Sequence, residues 1–327
     1  MARVNVFTSI YQICNHGSNF EKMNKYAGGG DTYPKYLDIE LTNHCNLSCY
    51  MCPVGTHAMK RERGFLSMKL IEKLCVELQD SDIHGVRLIR WGEPVMHPQF
   101  LDILKKLKDT GVAVHFNTNG ILLTSEMISR IIDLEVDSVK FSFQGVDCTS
   151  YEEMRAGSSW DKLMKNIRLM NELRGDKAKP FIQISTTTTD ESQERIDQFL
   201  QLVSPLCDYA NVGRTELCHL NVLDMQISEE RKQKFLELKA REKLQKQHLP
   251  VCPEVYDKLS VNWDGTVSAC CSDYDNMMIV GNLNENTLRD IYTGEKINKI
   301  REIISRDGYD DIPLCKTCYQ YIELRKR

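Results

Sequence analysis

The sequence lacks the marks of several large protein classes. It has no surplus of positive charge: 42 Lys and Arg stand against 46 Asp and Glu, with a formal net charge of −4 and a pI near 6.1. Without a basic field, nucleic acid is not expected as the main partner. No run of eighteen apolar residues occurs, and Met1 to Ile10 contain no continuous apolar segment leading to a small-residue cleavage site. The expectation is a cytoplasmic chain that neither crosses a membrane nor is secreted. With 18 Gly and 9 Pro in 327 residues, it has neither a collagen-like nor a low-complexity composition, and no solenoid repeat is visible.

What the sequence does contain is an ordinary core and an unusual number of thiols. Hydrophobic residues make up 42% and charged residues 27%, close to globular usage. The length suits a barrel-like α/β unit with a smaller appendage. Thirteen cysteines are many for such a chain. In a reducing compartment structural disulfides rarely persist, so metal ligation becomes the leading explanation.

From about Lys35 to Arg214, short β-rich runs alternate with amphipathic segments of helical period, the signature of βα units and a parallel sheet. Strands are predicted at Tyr36–Leu41, Val86–Ile89, Val112–Asn117, Ser138–Phe143, Phe181–Thr187 and Tyr209–Val212. Helices are predicted at Met68–Leu78, Phe100–Lys108 and Trp160–Leu173. Six such repeats predict a partial (β/α)6 TIM-like barrel, with functional residues gathered at the C-terminal strand ends. Ile227–Gln247 is dense in Lys, Glu, Arg and Gln, with Phe235, Leu236, Leu238 and Leu244 interleaved, and reads as a solvated linking helix. Beyond it, Leu259–Ser268 carries an Asp264-Gly265 turn, the mark of a β-hairpin in a small C-terminal subdomain. The expected organisation is an extension over 1–35 with a flexible joint at Gly28-Gly29-Gly30, a barrel over 36–226, and a linker helix with a second unit over 227–327.

Cys45, Cys49 and Cys52 form a C-x3-C-x2-C spacing directly after the first predicted strand, where a barrel places its active site. Three clustered thiolates suit a cubane with one iron left open, whereas structural zinc closes its coordination with four protein ligands. Neither His44 nor His57 is spaced as a typical fourth ligand, although three buried thiols or a zinc knuckle are the plainer alternatives.

With this spacing the sequence resembles the radical S-adenosylmethionine (SAM) superfamily. Met51 stands directly before the third cysteine, where relatives usually carry an aromatic, and Tyr50 sits one place earlier. Trp91-Gly92-Glu93-Pro94 looks like the family's Gly-Gly-Glu-Pro motif, which binds the SAM amino group. A glycine turn allows close backbone approach, and Glu93 suits an ammonium. Thr118-Asn119-Gly120, Ser142-Phe143-Gln144-Gly145 and Arg155-Ala156-Gly157 follow in the family's order, with Gln144 where relatives commonly carry an acid. Read alone, each is a plain turn. The resemblance implies that Cys45, Cys49 and Cys52 hold a catalytic [4Fe–4S] cluster. It implies SAM contacts from Tyr50, Met51, Gly92, Glu93, Pro94, Asn119 and Ser142, and makes Arg155 a candidate catalytic residue, binding the SAM carboxylate or the substrate. It also implies reductive cleavage of SAM to a 5′-deoxyadenosyl radical that abstracts hydrogen from substrate, with a flavodoxin- or ferredoxin-type electron donor.

A second set consists of Cys252, Cys270, Cys315 and Cys318, with the hairpin turn folding the first two towards each other. Four-cysteine sites containing Cys-x2-Cys are commonly zinc, so a zinc ribbon stays open on spacing alone. The pattern resembles the twitch form of the SPASM domain in radical SAM enzymes, which implies one auxiliary [4Fe–4S] cluster and hence two clusters in all. The nine residues after Cys318 hold no cysteine for a further cluster. Cys271, beside Cys270, is an alternative ligand. Cys14, Cys75, Cys148, Cys207 and Cys218 have no ligand-like spacing and read as ordinary thiols.

The resemblance points to an oxidoreductase similar to the aminocyclitol and sugar dehydrogenases, with a small-molecule substrate. Peptide or protein modification is the alternative, with recognition supplied by a separate partner, since only about 35 residues precede the barrel. Epimerisation with hydrogen return from Cys148 or Cys218, dehydration, and a two-site zinc module also stand. Arg90, Arg155, Thr187, Arg214 and Glu216 are candidate residues at the barrel mouth.

Overall fold

The computed structural model describes residues 3–8, 17–27, 30–243 and 251–318. Cys14, Gly28, Gly29 and Leu244–Gln247 lie outside the described residues. The barrel strands are β1 (Tyr36–Ile39), β3 (Gly85–Leu88), β4 (Ala113–Thr118), β5 (Ser138–Ser142), β7 (Phe181–Thr188) and β8 (Tyr209–Arg214); two short segments, β2 (Ser48–Cys49) and β6 (Arg155–Ala156), pair separately. All six barrel strands run parallel. Each lies within two residues of its predicted bounds, because the apolar runs that face the helices end where the strands do.

Helices α1 (Asn19–Ala27), α2 (Met68–Gln79), α3 (Phe100–Asp109), α4 (Ser125–Asp133), α5 (Cys148–Met154), α6 (Trp160–Arg174) and α7 (Gln193–Val203) accompany these strands. Ser67 caps α2 by accepting from the Leu70 N–H, and the helix buries Leu70, Ile71, Leu74 and Leu78. In the same way α3 buries Phe100, Ile103, Leu104 and Leu107. At the barrel floor Phe7 packs against Gly85 and lies 5.4 Å from the His115 ring. The N-terminal segment thus closes the end of the barrel opposite the mouth.

After α8 (Glu229–Lys243) come α9 (Pro253–Asp257), β9 (Lys258–Val261), β10 (Thr266–Ser268) and β11 (Ile279–Asn282), then α10 (Leu288–Thr293), α11 (Glu295–Ser305) and α12 (Pro313–Thr317). Asp264 accepts from the Thr266 N–H and hydroxyl, and Gly265 has φ +87, which makes the predicted hairpin turn. The hairpin is not a separate sheet. β9 pairs parallel with β1, from Tyr36↔Lys258 to Ile39↔Val261, giving one nine-stranded sheet ordered β11-β10-β9-β1-β3-β4-β5-β7-β8. The fold is therefore a partial TIM-like α/β barrel whose sheet runs on into a small C-terminal unit. Glu40 and Arg61 reinforce this joint through a two-pronged ion pair (2.7 and 2.9 Å), while Arg61 also donates to the Tyr274 carbonyl.

Arg301 organises the C-terminal unit from a fully buried position. It donates to the Val255 and Tyr292 carbonyls at 2.7 Å, and its guanidinium carbon lies 3.9 Å from the Tyr26 ring centre and 4.3 Å from that of Tyr292. Arg301→Ala removes its hydrogen bond to the Val255 carbonyl, leaves the Tyr292 carbonyl with the Tyr26 hydroxyl, and opens a cavity, so chemical denaturation is expected to show a loss of about 3 kcal/mol. A change below about 0.5 kcal/mol would mean that water replaces the guanidinium without cost.

Candidate active site

The first cysteine loop leaves β1 at the open end of the barrel. Cys45 lies in the loop, and Cys49 lies in β2, directly opposite Arg155 of β6. Cys52 lies in the following turn, whose carbonyl accepts from the Thr56 N–H (3.0 Å) and hydroxyl (2.8 Å). The turn closes tightly: a Cβ on Gly55 would fall 2.5 Å from the Cys49 nitrogen. Burial pushes the Cys45 thiol up to about 12 and the Cys49 thiol to about 11, and raises Cys52 too. A metal bound by these thiols would have to displace their protons.

Gly92 has φ +87, and a Cβ there would meet the Thr42 carbonyl oxygen at 2.3 Å. Only glycine lets the loop after β3 lie this close to the cysteine loop. The next residue, Glu93, donates its N–H to the His44 carbonyl (2.8 Å), while its buried carboxylate accepts from the Thr118 hydroxyl (2.7 Å) and the Asn119 N–H (2.8 Å). Burial pushes this carboxyl up to about 7. Pro94 opens the short turn that follows. The Asn119 amide donates to Asn46 (2.9 Å) and lies 4.0 Å from the Cys45 sulfur. Ser142 ends β5, half-buried. Arg155 donates to the Phe143 carbonyl (3.1 Å), sits 4.0 Å from the Cys49 sulfur, and has a buried Nε without a hydrogen-bond partner among the described residues. Tyr50 donates its N–H to the Met154 carbonyl and lies under the Arg231 guanidinium (3.9 Å), and Met51 is half-buried beside it. These residues gather at one end of the barrel.

The other mouth candidates are placed differently. Arg90, at φ +94, donates to the carbonyls of Cys270 (3.1 Å) and Asp273 (2.7 Å) and so ties β3 to the second cysteine loop. Thr187 donates to Gln144, whose amide in turn donates to Thr215 (both 2.6 Å). Arg214 and Glu216 are exposed.

Cys252, Cys270, Cys315 and Cys318 line one cavity with Val255, Met278, Tyr309 and Leu314. Buried Asn19 of α1 holds this wall, accepting from the Cys252 N–H (2.7 Å) and donating to the Tyr309 hydroxyl. Burial raises the thiols of Cys252, to about 11, and of Cys270 and Cys318. Cys271 lies on the other side, its sulfur within 4.8 Å of carboxylate oxygens of Asp38 and Glu254. Buried Cys218 and its neighbour His219 adjoin the cavity, Cys218 beside Cys318. No spacing in the sequence signals that approach. Cys75 and Cys207 are half-buried and Cys148 is exposed.

Zinc and an iron–sulfur cubane ask for different thiol separations. A tetrahedral zinc with Zn–S bonds of about 2.3 Å draws its sulfurs to about 3.8 Å from one another. Among the described residues neither cysteine set brings three thiols within 4.8 Å of one another, and clustered thiols of either set are the donors an iron–sulfur cubane takes.

Residues 39–203 match the family model of the radical SAM superfamily, about half of the chain. This protein belongs to the radical SAM superfamily. Residues 252–319 match the SPASM iron–sulfur cluster-binding domain, so SAM and [4Fe–4S] clusters are the cofactors of this radical SAM protein. It is 27% identical over 327 residues to the tungsten-containing aldehyde ferredoxin oxidoreductase cofactor-modifying protein of Pyrococcus furiosus, covering 87% of each chain. It is 29% identical over 171 residues to the mycofactocin maturase MftC of Mycobacterium tuberculosis, covering 52% of this chain but 42% of the relative. Among solved structures, SuiB of Streptococcus suis bound to the precursor peptide SuiA superposes with a TM-score of 0.67 at 17% identity, covering 94% of this chain and 76% of SuiB. BtrN in complex with AdoMet and 2-DOIA gives 0.57 at 16% identity, covering 89% of this chain and 94% of BtrN. These two likenesses concern the fold. Among the described residues, no helix of this radical SAM protein is long and apolar enough to cross a membrane.

Proposed function

We propose that this radical SAM protein is an oxidoreductase that dehydrogenates a hydroxyl-bearing small molecule of the sugar or aminocyclitol class. In this reading Cys45, Cys49 and Cys52 hold the catalytic cluster, and Cys252, Cys270, Cys315 and Cys318 hold one auxiliary cluster. When bound, these groups and SAM supply reductive cleavage of SAM, removal of a hydrogen atom from substrate and uptake of the electron that substrate releases. A flavodoxin- or ferredoxin-type protein provides the initiating electron. Glu93 accepts the SAM ammonium, Arg155 faces a carboxylate, and Gly92, Pro94, Asn119, Ser142, Tyr50 and Met51 shape the SAM cleft.

The observation carrying this reading is the set of four thiols around one cavity, beside a hairpin whose first strand pairs with the strand that launches the first cysteine loop. Four protein ligands leave no iron open for substrate, which suits an electron acceptor. The BtrN-like fold supports a small aminocyclitol-like substrate. A second reading, modification of a peptide or a cofactor, is favoured by the cofactor-modifying relative matched along most of its length and by the peptide-bound SuiB fold. Substrate deuterated at the reacting carbon is expected to pass its label into 5′-deoxyadenosine, with one SAM consumed per ketone formed. Unlabelled 5′-deoxyadenosine, or solvent deuterium in the product, would sink the dehydrogenase reading.

A further inference from the structure

The inner face of the barrel is charged where a packed barrel is normally apolar. Along β5 the outward Val139 and Phe141 are buried in the helix layer, whereas the inward Lys140 and Ser142 are half-buried and open onto the interior. The register sets Lys140 beside Asn117 of β4 and Gln183 of β7, both half-buried. Ser142, two residues nearer the mouth, stands about 7 Å further along the strand.

The nearby carboxylates are already matched. Asp38 takes both prongs of Arg87 (2.6 Å each), Glu254 pairs with Lys258, and Glu40 pairs with Arg61. Lys140 alone has no hydrogen-bond or ion-pair partner among the described residues, and it shares its surroundings with two further cations, Arg87 and Arg155. Burial and those two cations lower its ammonium to about 8. Asp38 and Cys271 act on Lys140 in the opposite sense, but Asp38 is already held by Arg87, so the lysine has no counter-charge of its own and an anion would relieve it.

We propose that Lys140 is the recognition point for an anionic group of the substrate, a carboxylate or a phosphate, seated between Asn117 and Gln183 one layer beneath Ser142. This rests on the oxidoreductase reading only in taking the anion to belong to the substrate. An anchored anion at this depth places the rest of a small molecule between Lys140 and the SAM cleft. The other carboxylate available to Lys140 is that of SAM itself, so the test separates the two sources.

Inorganic phosphate is titrated into the cluster-loaded, SAM-bound protein and its binding followed by calorimetry, for wild type, Lys140→Met and Lys140→Arg. Saturable binding to wild type is expected, at least tenfold weaker in Lys140→Met and largely kept in Lys140→Arg, with SAM affinity within twofold of wild type in both variants. Equal phosphate affinity in wild type and Lys140→Met, or no saturable binding at all, overturns the proposal. A tenfold loss of SAM affinity in Lys140→Met also overturns it, by assigning the lysine to SAM. Melting curves for Lys140→Met at or above the wild-type midpoint are expected, since the change removes a half-buried cation that has no ion-pair partner among the described residues; if that variant does not fold, Lys140→Gln takes its place. Because phosphate binding is read directly, its failure with iron content and SAM cleavage intact counts against the anion site and leaves the radical SAM reading standing.

Discussion

Replacing Cys45, Cys49 and Cys52 together by alanine is expected to abolish SAM cleavage while leaving about half of the iron in place. The wild-type protein, reconstituted anaerobically, should carry about eight irons per chain as two cubanes, and the triple variant about four. The fold should survive, because the loop is held by bonds that do not involve the thiols: the Cys52 carbonyl is capped by Thr56, and Glu93 grips the His44 carbonyl. Cys49 is buried and Cys45 and Cys52 are half-buried, and because burial raises all three thiols they are protonated without metal, so their removal leaves no charge unpaired. Iron and acid-labile sulfide analysis, together with chromatographic detection of 5′-deoxyadenosine under a strong reductant, reads both outcomes. Retention of SAM cleavage in the triple variant would remove the assignment of this loop, and a wild type rich in zinc and free of iron would remove the chemistry.

The complementary change, Cys315→Ala with Cys318→Ala, is expected to invert the pattern. Iron again falls to about four per chain, but SAM is still cleaved when reductant is supplied, whereas oxidised product disappears. The two thiols lie in and just after α12, at the edge of the cavity, and Cys318 is steadied by its N–H to the Cys315 carbonyl (2.9 Å). Cys218 gives this experiment a second edge. It is buried beside Cys318 and can offer a replacement thiolate. Partial iron retention that disappears on adding Cys218→Ser would identify that substitution of ligands. If turnover to product persists with only the catalytic cluster bound, the auxiliary site is structural and the electron leaves by another route.

Much of the framework was readable from local pattern. Six strands and three helices were placed within two residues of their bounds, because parallel strands buried against helices show β-branched runs bounded by turn residues. The first cysteine loop declared itself through spacing and its place after a strand. Other features depend on contacts that no local pattern encodes. β11 was missed: Ile279-Val280-Gly281-Asn282 is short, with a glycine and an asparagine, and becomes a strand only through pairing with β10. The pairing of β9 with β1 joins segments more than two hundred residues apart in sequence. Cys270 and Cys271 could not be separated by spacing, since neighbouring side chains leave the backbone on opposite sides. Only the folded hairpin turns Cys270 towards the other three thiols and Cys271 towards Asp38. Lys140 did leave a trace in the sequence, as the single charge in the strand run Ser138–Phe143.

The continuity of the sheet also bears on how such a protein can change over evolutionary time. A module joined by a tether can be lost, exchanged or shuffled while its neighbour keeps its shape. Here β9 covers the flank of β1, so a chain cut back before residue 251 would expose a row of unpaired N–H and C=O groups beside the loop bearing Cys45. Deleting the cysteine-rich tail would create a sticky edge next to the reactive centre. Its sequence can therefore diversify around the cavity, but the strand that docks on β1 is held in place by the need to keep that edge covered.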